Sequence, residues 1–357
     1  MDSEYEDLLN EAGLVYTEDS VPGISRRGKN GSFRYFDKEG KLITNKNTLD
    51  RIKKLVIPPA WMNVWIAPKA NAHLQATGID QAGRKQYRYH NEWSRTRNET
   101  KYFRLLEFGE KLPEFRKNII KDIRRKLMDE RKVLAISVNM MQKTLIRVGN
   151  EAYKQLYGSY GLTTLRNKHI QINGNTMKLA FKGKKGVYQE IELTDKSLAR
   201  LVKRCKDIPG QELFQYYTAN GERKSIDSGQ INRYIKEVTC CDFTAKDFRT
   251  WAGTLEMLRN LASYEFPENE IKRKKIVVAS LDAVAAKLGN TRAICKKSYV
   301  FPALLDAYEN GDLLPYLKRI AKSRDVVADK GLNHDEKVLL KFLKDQRRKK
   351  EEQAKAA

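Results

Sequence analysis

His169-Ile170-Gln171-Ile172, Asn173-Gly174, Met177-Lys178-Leu179-Ala180-Phe181, Gly183-Lys184-Lys185-Gly186, Val187-Tyr188-Gln189-Glu190-Ile191-Glu192-Leu193: read in this order, the segment is three strands joined by two turns. Apolar and polar residues alternate with a period of two, the mark of strands with one buried face. Asn173-Gly174 suits a tight hairpin because both residues tolerate a left-handed backbone. On either side the period changes to that of helices. Long helical patterns cover roughly 98–130 and 133–157, and helices resume near 195 and continue to the end of the chain. A three-stranded meander inside a mainly helical region predicts an α+β fold.

Outward toward the N-terminus, residues 1–95 read as a small β-rich domain. Phe33-Arg34-Tyr35-Phe36 is a strand with Asp37-Lys38-Glu39-Gly40 as its turn. A short helix follows, with Asn47 or Thr48 as N-cap before Leu49-Asp50-Arg51-Ile52. Leu55-Val56-Ile57 reads as a strand stopped by Pro58-Pro59, and Val64-Trp65-Ile66 as another. His73–Thr77 and Gln86–Tyr89 pair across a turn at Asp80-Gln81-Ala82-Gly83. Trp61 and Trp65 are expected in the core. The expected division is therefore 1–95 and 96–357, consistent with about two domains for 357 residues.

Composition narrows the partner. Lys and Arg number 69 against 45 acids, a net charge of +24. Such a surplus suits a polyanion, and nucleic acid before a membrane surface. The excess is uneven, since the first twenty residues hold seven acids and no Lys or Arg. No apolar run reaches the roughly eighteen residues of a membrane span. Met1-Asp2-Ser3-Glu4 lacks the basic and apolar parts of a signal peptide, so a cytoplasmic, nucleoid-associated protein is expected. Cys205, Cys240, Cys241 and Cys295 form no CxxC pair, and the four histidines are scattered, so reduced thiols and no metal are expected.

The chain has no GxxxxGK[ST] loop, no GxGxxG after a strand and no GxSxG elbow. A DNA enzyme without ATP or metal motifs must stabilise phosphate charge with its own cations. To reseal what it cuts, it must also store the bond covalently. A tyrosine nucleophile caged by Arg and Lys meets both needs.

Thr244-Ala245-Lys246-Asp247-Phe248-Arg249-Thr250-Trp251 opens a helix with Thr244 as N-cap and Asp247 three residues on. Phe248, Ala252 and Leu255 face the core. Lys246 and Arg249, three apart, project from one face. Some forty residues later comes Leu288-Gly289-Asn290-Thr291-Arg292-Ala293-Ile294-Cys295-Lys296-Lys297-Ser298-Tyr299. This segment resembles the nucleophile segment of the type IB DNA topoisomerases. Lys246–Thr250 resembles that family's second-arginine motif, Ile146-Arg147-Val148-Gly149-Asn150-Glu151 its first, and Phe181-Lys182-Gly183-Lys184 its hairpin-lysine motif. Lys54–Trp61 and Gly83-Arg84-Lys85-Gln86-Tyr87-Arg88-Tyr89 also fit. The resemblance spans roughly residues 20–310 in motif order, closest to the compact bacterial and poxvirus-like branch.

The resemblance implies a β-rich clamp domain and a helical catalytic domain of the tyrosine recombinase and type IB topoisomerase kind. It implies that Tyr299 attacks phosphorus to leave a 3′-phosphotyrosyl link, with no cofactor. Arg147 and Arg249 would clamp the non-bridging oxygens, Lys184 would protonate the departing 5′-oxygen, and Lys246 would assist. Asn290 departs from the His of many relatives, but its amide can still donate a hydrogen bond. With a shifted hairpin register, Lys185 takes the acid role instead. Gln86, Tyr87 and Tyr89, with Lys85 and Lys296, would contact duplex DNA. Alternation puts Tyr87 and Tyr89 on one strand face, and Arg84 and Arg88 lie beside them. The implied enzyme is a monomer that closes around supercoiled duplex, with a hinge near residue 95.

Two rivals remain at this stage. A tyrosine recombinase shares the Arg, Lys, Arg and Tyr chemistry, but Lys246 stands where recombinases typically carry His. A basic, non-enzymatic DNA-binding protein would bind with strong salt dependence and never become attached to DNA.

Overall fold

A computed structural model describes residues 9–10, 12–29, 32–81, 83, 85–320 and 330–356. The chain separates into two compact units, Met1–Phe103 and Arg104–Ala357.

The first unit is built on one antiparallel sheet in the order β2-β1-β3-β4-β5. Its strands are β1 (Ile24–Lys29), β2 (Ser32–Phe36), β3 (Met62–Ile66), β4 (Leu74–Ile79) and β5 (Lys85–Tyr89), with helix α1 (Lys46–Lys54) between β2 and β3. Ile24, Ile52, Val64, Ile66 and Ala76 close its core, and half-buried Trp61 packs on them. Trp65 is half-buried too, its indole donating to the Val21 carbonyl at 2.9 Å. Thr77 lies opposite Tyr87 across β4 and β5. Ala82 and Arg84 lie outside the described residues.

Three expectations change here. The cap of α1 is Asn45, whose side chain accepts from the Thr48 N–H at 3.0 Å. Its extended backbone lets the carboxamide reach three residues ahead, as an N-cap must. Leu55–Ile57 is not a strand, because Val56 takes φ +48°, a left-handed conformation that ends extended pairing. Strand β1 was not foreseen, since Ser25-Arg26-Arg27-Gly28 shows no apolar alternation. Arg26 instead donates to the carbonyls of Pro58 and Trp61, which satisfies the turn after the prolines.

The second unit is mainly helical. It contains most of α2 (Asn91–Ile123), then α3 (Glu130–Thr144), α4 (Glu151–Tyr157), α5 (Lys196–Lys206), α6 (Ser228–Thr239), α7 (Ala245–Ala262), α8 (Glu270–Leu288), α9 (Arg292–Ser298), α10 (Pro302–Glu309), α11 (Leu314–Leu317) and α12 (His334–Ala356). Residue 95 falls inside α2. Strands β6 (Ile170–Asn173), β7 (Thr176–Lys182) and β8 (Tyr188–Thr194) form a three-stranded antiparallel sheet. A short hairpin, β9 (Gln215–Tyr217) with β10 (Arg223–Ser225), was missed because three-residue strands carry little periodicity. Phe108 and Phe115 of α2 pack edge-on and tilted against Phe248 of α7, which anchors α7 in the core.

The helix expected over 133–157 is broken. It ends as α3, where Leu145 turns left-handed at φ +56°, and restarts as α4, capped by Asn150. The break leaves Ile146-Arg147-Val148-Gly149 as a loop. The carbonyls of Arg147 and Val148 accept from the N–H groups of Leu162 and Thr163, both at 2.8 Å. Among the described residues, no helix is long and apolar enough to cross a membrane.

Candidate active site

The site begins with the start of α7. Asp247 accepts from both the backbone N–H and the hydroxyl of Thr244, at 2.8 and 2.9 Å, which closes the first turn. One turn on, Arg249 is buried at 5% exposure, while Lys246 stays exposed. The two therefore do not project together. The Arg249 guanidinium turns inward and donates to the Leu145 carbonyl and, at 2.7 Å, to the Leu288 carbonyl. Both acceptors lie at helix C-termini, α3 and α8, where unsatisfied carbonyls carry partial negative charge.

Those carbonyl dipoles hold the cation without neutralising it. Arg249 Nε is buried and has no hydrogen-bond partner. The guanidinium carbon sits 5.1 Å from the centre of the Tyr299 ring.

Arg147 reaches the same place from the α3–α4 loop. Its Nη2 donates to the Gly289 carbonyl at 2.8 Å and to the Asn290 side-chain oxygen. Gly289 caps α8 with φ +58°, a conformation that lets the chain turn back and present both acceptors. Because the Asn290 oxygen serves Arg147, its amide nitrogen is left buried and unpartnered. Burial and the neighbouring Arg249 push the Arg147 guanidinium down to about 10, against an opposing pull from Tyr299. Among the described residues, neither guanidinium has a carboxylate partner. The site is a cluster of surplus positive charge with two orphaned N–H donors.

Tyr299 is held by its backbone. It ends α9, its N–H donating to Cys295 at 2.9 Å. A Cβ at Gly253 would lie 2.7 Å from the Tyr299 carbonyl oxygen and 3.1 Å from its Cβ, so only glycine lets α7 approach this closely. Thr254, fully buried, accepts from the Phe301 N–H at 3.2 Å. Its hydroxyl donates to Thr250 at 2.9 Å, with the Tyr299 carbonyl at 3.3 Å. Helix α7 thus carries Arg249 and the seat of Tyr299 together. Sequence reading missed Gly253 and Thr254. The one available signal was a glycine inside a helix, which costs about 1 kcal/mol against alanine and so implies a packing reason. Cys295 is buried beneath the tyrosine turn, and burial raises its thiol to about 11 against the nearby Arg249 charge.

The structure brings Arg147, Arg249, Asn290 and Tyr299 together. It leaves the other candidates around them or elsewhere. Lys184 and Lys185 are both exposed in the β7–β8 turn, where Lys185 takes φ +61°. The strand register runs evenly from Thr176–Thr194 to Lys182–Tyr188 and puts both lysines at the tip. Lys296 is exposed on α9.

In the first unit, β5 presents Tyr87 and Tyr89 stacked 6.1 Å apart and exposed, not packed into the core. Lys85 pairs with Asp19 at 2.6 Å, and Gln86 donates to Asp80 at 2.9 Å.

Comparison with known proteins finds family matches over most of the chain. Residues 85–319 match the family model described as eukaryotic DNA topoisomerase I, catalytic core. Residues 32–80 match that of the bacterial DNA topoisomerase IB N-terminal domain. The chain is 33% identical to DNA topoisomerase 1B of Acanthamoeba polyphaga mimivirus over 328 residues, covering 87% of this chain and 98% of that one. It is 24% identical to DNA topoisomerase 1B of vaccinia virus (strain Copenhagen) over 304 residues, covering 80% and 92%.

Proposed function

This chain belongs to the type IB DNA topoisomerases, an isomerase family acting on DNA, and from that premise we propose how its own residues carry the reaction. The scissile phosphate binds at the cationic cluster. Arg147 and Arg249 clamp the non-bridging oxygens, and Asn290 donates through its free amide. The Tyr299 oxygen attacks phosphorus, its proton passing to solvent, and the bond to the 5′-oxygen breaks. Lys184 supplies the proton that the departing oxygen needs, with Lys246 assisting. A 3′-phosphotyrosyl ester stores the bond while torsion turns the free end, and the reverse attack reseals the strand. No nucleotide is consumed, because the ester conserves the energy of the broken bond.

The observation that carries this reading is the pair of buried, unpartnered donors, Arg249 Nε and Asn290 Nδ2, in a site whose arginines lack carboxylates. Buried polar groups are normally satisfied. Two orphaned donors, one of them on the arginine beside the Tyr299 ring, suit an anion that arrives with the substrate.

Tyr87, Tyr89, Gln86, Lys85 and Lys296 contact the duplex, and binding exchanges Asp19 for phosphate at Lys85. The protein works as a cytoplasmic, nucleoid-associated monomer. Both units bind supercoiled DNA, and the catalytic unit has the tyrosine recombinase type of fold with β6–β8 as its insertion.

Supercoiled plasmid incubated with EDTA and no ATP tests the whole. Relaxation is expected from the wild type, and none from Tyr299→Phe, which should still bind DNA. A Tyr299→Phe enzyme that relaxes plasmid, or a DNA-linked peptide mapping elsewhere, defeats the assignment.

A further inference from the structure

In-line displacement sets the attacking and departing oxygens on opposite sides of phosphorus. In the reading above, the tyrosine and the acid sit on different elements, the end of α9 and the β7–β8 turn. Their relative placement depends on how that turn is joined to the rest of the site. Lys184, Lys185 and Gly186 are all exposed. One join is visible at Lys182, whose carbonyl accepts from the Tyr160 N–H at 2.8 Å.

The other join is Gln189. It lies on β8 opposite Phe181, half-buried, on the strand that leads away from the turn. A Cβ added at Gly183 would lie 3.0 Å from Gln189 Cγ. A Cβ added at Gly289 would lie 2.9 Å from its Oε1 and 3.0 Å from its Nε2. The stem of this one side chain therefore rests on the residue before Lys184, and its carboxamide rests on the residue before Asn290. Gly289 is also the residue whose carbonyl holds Arg147. The hydrogen bond the Gln189 amide makes is a long one to its own neighbour, the Tyr188 carbonyl, at 3.3 Å. What it offers across the join is volume and contact, fitted between two glycines.

We infer that Gln189 is a positioning residue that seats the lysine turn on the nucleophile segment, and so sets the distance from the acid to the departing 5′-oxygen. This rests on the reading of the turn lysine, Lys184 or its neighbour Lys185, as the general acid. Arg249 projects from α7 onto the Leu145 and Leu288 carbonyls, and Tyr299 is seated on α7 at Gly253 and Thr254, so neither touches Gln189 directly. Loss of Gln189 should therefore damage proton delivery far more than the Arg249 contact or nucleophile placement, with any effect on Arg147 through Gly289 showing equally on both substrates below.

The test uses the full chain and a duplex whose cleavage site has first been mapped with the wild-type enzyme. Single-turnover formation of the covalent adduct is measured with oxygen, and then with sulfur, as the 5′-bridging atom. A thiolate departs without being protonated, because a thiol is far more acidic than an alcohol. Gln189→Ala should cleave the oxygen substrate roughly tenfold to a hundredfold more slowly, the scale of a small misplacement, and match the wild type to about twofold on the sulfur substrate. Gln189→Met restores length and volume without the amide, and should recover most of the loss. Arg249→Ala should be slow on both substrates.

Gln189→Ala at wild-type speed on oxygen overturns the inference. So does a defect equally deep on sulfur, or a Met variant as slow as Ala. The underlying reading fails separately: if sulfur rescues neither Lys184→Ala nor Lys185→Ala, the acid lies elsewhere and the inference falls with it.

Discussion

Helix α7 carries two arginines ten residues apart, and their surroundings are opposite in kind. Arg259 donates to Asp335 at 2.6 Å and to Glu256 at 3.0 Å. Behind the same helix, Arg116 makes two 2.8 Å bonds to Glu336, which also accepts from the Trp251 indole at 3.4 Å. These cations are neutralised, and they dock α12 onto α2 and α7. Arg249 meets only carbonyls, and one of its donors meets nothing. A buried arginine with a carboxylate belongs to the architecture, because the pair cancels its own field. A buried arginine held by carbonyl dipoles keeps its charge uncancelled. The counter-ion, more than the residue type or its burial, separates the two roles.

The sharpest way to break this contrast is Arg249→Ala. Cleavage in a single turnover should fall by about 10²–10³, the usual cost of one transition-state contact. The unfolding midpoint should move far less than in a carboxylate variant. Cleavage that survives while stability collapses would place Arg249 with the architectural pair.

Glu336→Ala should do the reverse. Stranding Arg116 should cost about 3–5 kcal/mol in urea unfolding, with the cleavage rate per folded molecule changing little. Acid probes the same carboxylate. Burial pushes the Glu336 carboxyl up, but the hydrogen bond and charge of Arg116 outweigh it, and the net direction is below the ordinary value of 4.5. A lowered folded pKa contributes stability above the unfolded value, and that contribution is lost as pH falls through the folded one. Stability should therefore drop below about pH 4.5, and less steeply in Glu336→Gln.

The smallest effect tests the rule in the first unit, where Lys85 is paired at 2.6 Å with Asp19. Lys85 is exposed and Asp19 half-buried, so the pair is only partly shielded from water. Asp19→Asn should tighten duplex binding by about twofold to fivefold at low salt, the scale of a surface ion pair. Lys85→Ala should reduce the salt slope of binding by about one. An unchanged affinity in Asp19→Asn would mean that Lys85 takes no part in binding.

Much of the candidate site was legible in the sequence. Tyr299, Arg147 and Arg249 each sit in a motif whose chemistry calls for those residue types, and the motifs occur in order. The strands around Lys184 were legible because alternation and an Asn-Gly turn are local signals. Strand β1 was not, because its register is decided by β2 and β3 on either side of it. The break at Leu145 was invisible for a related reason. A leucine in the left-handed region is disfavoured locally, and it is held by its N–H bond to Met141 and by the arginine that claims its carbonyl.

The amino-acid order by itself determined the partner's charge, the motif that carries Tyr299 and many of the helical and extended segments, since each depends on composition or on residues a few positions apart. Tertiary structure alone decided which cations are spent and which are free. Arg249 and Lys246 are three residues apart, yet one is buried and the other exposed. Gly253, Thr254 and Gln189 each meet a partner tens of residues or more away, Tyr299, Phe301 and Gly289 among them. Counter-ions, orphaned donors and close approaches are properties of pairs that meet only after folding, and no local pattern encodes them.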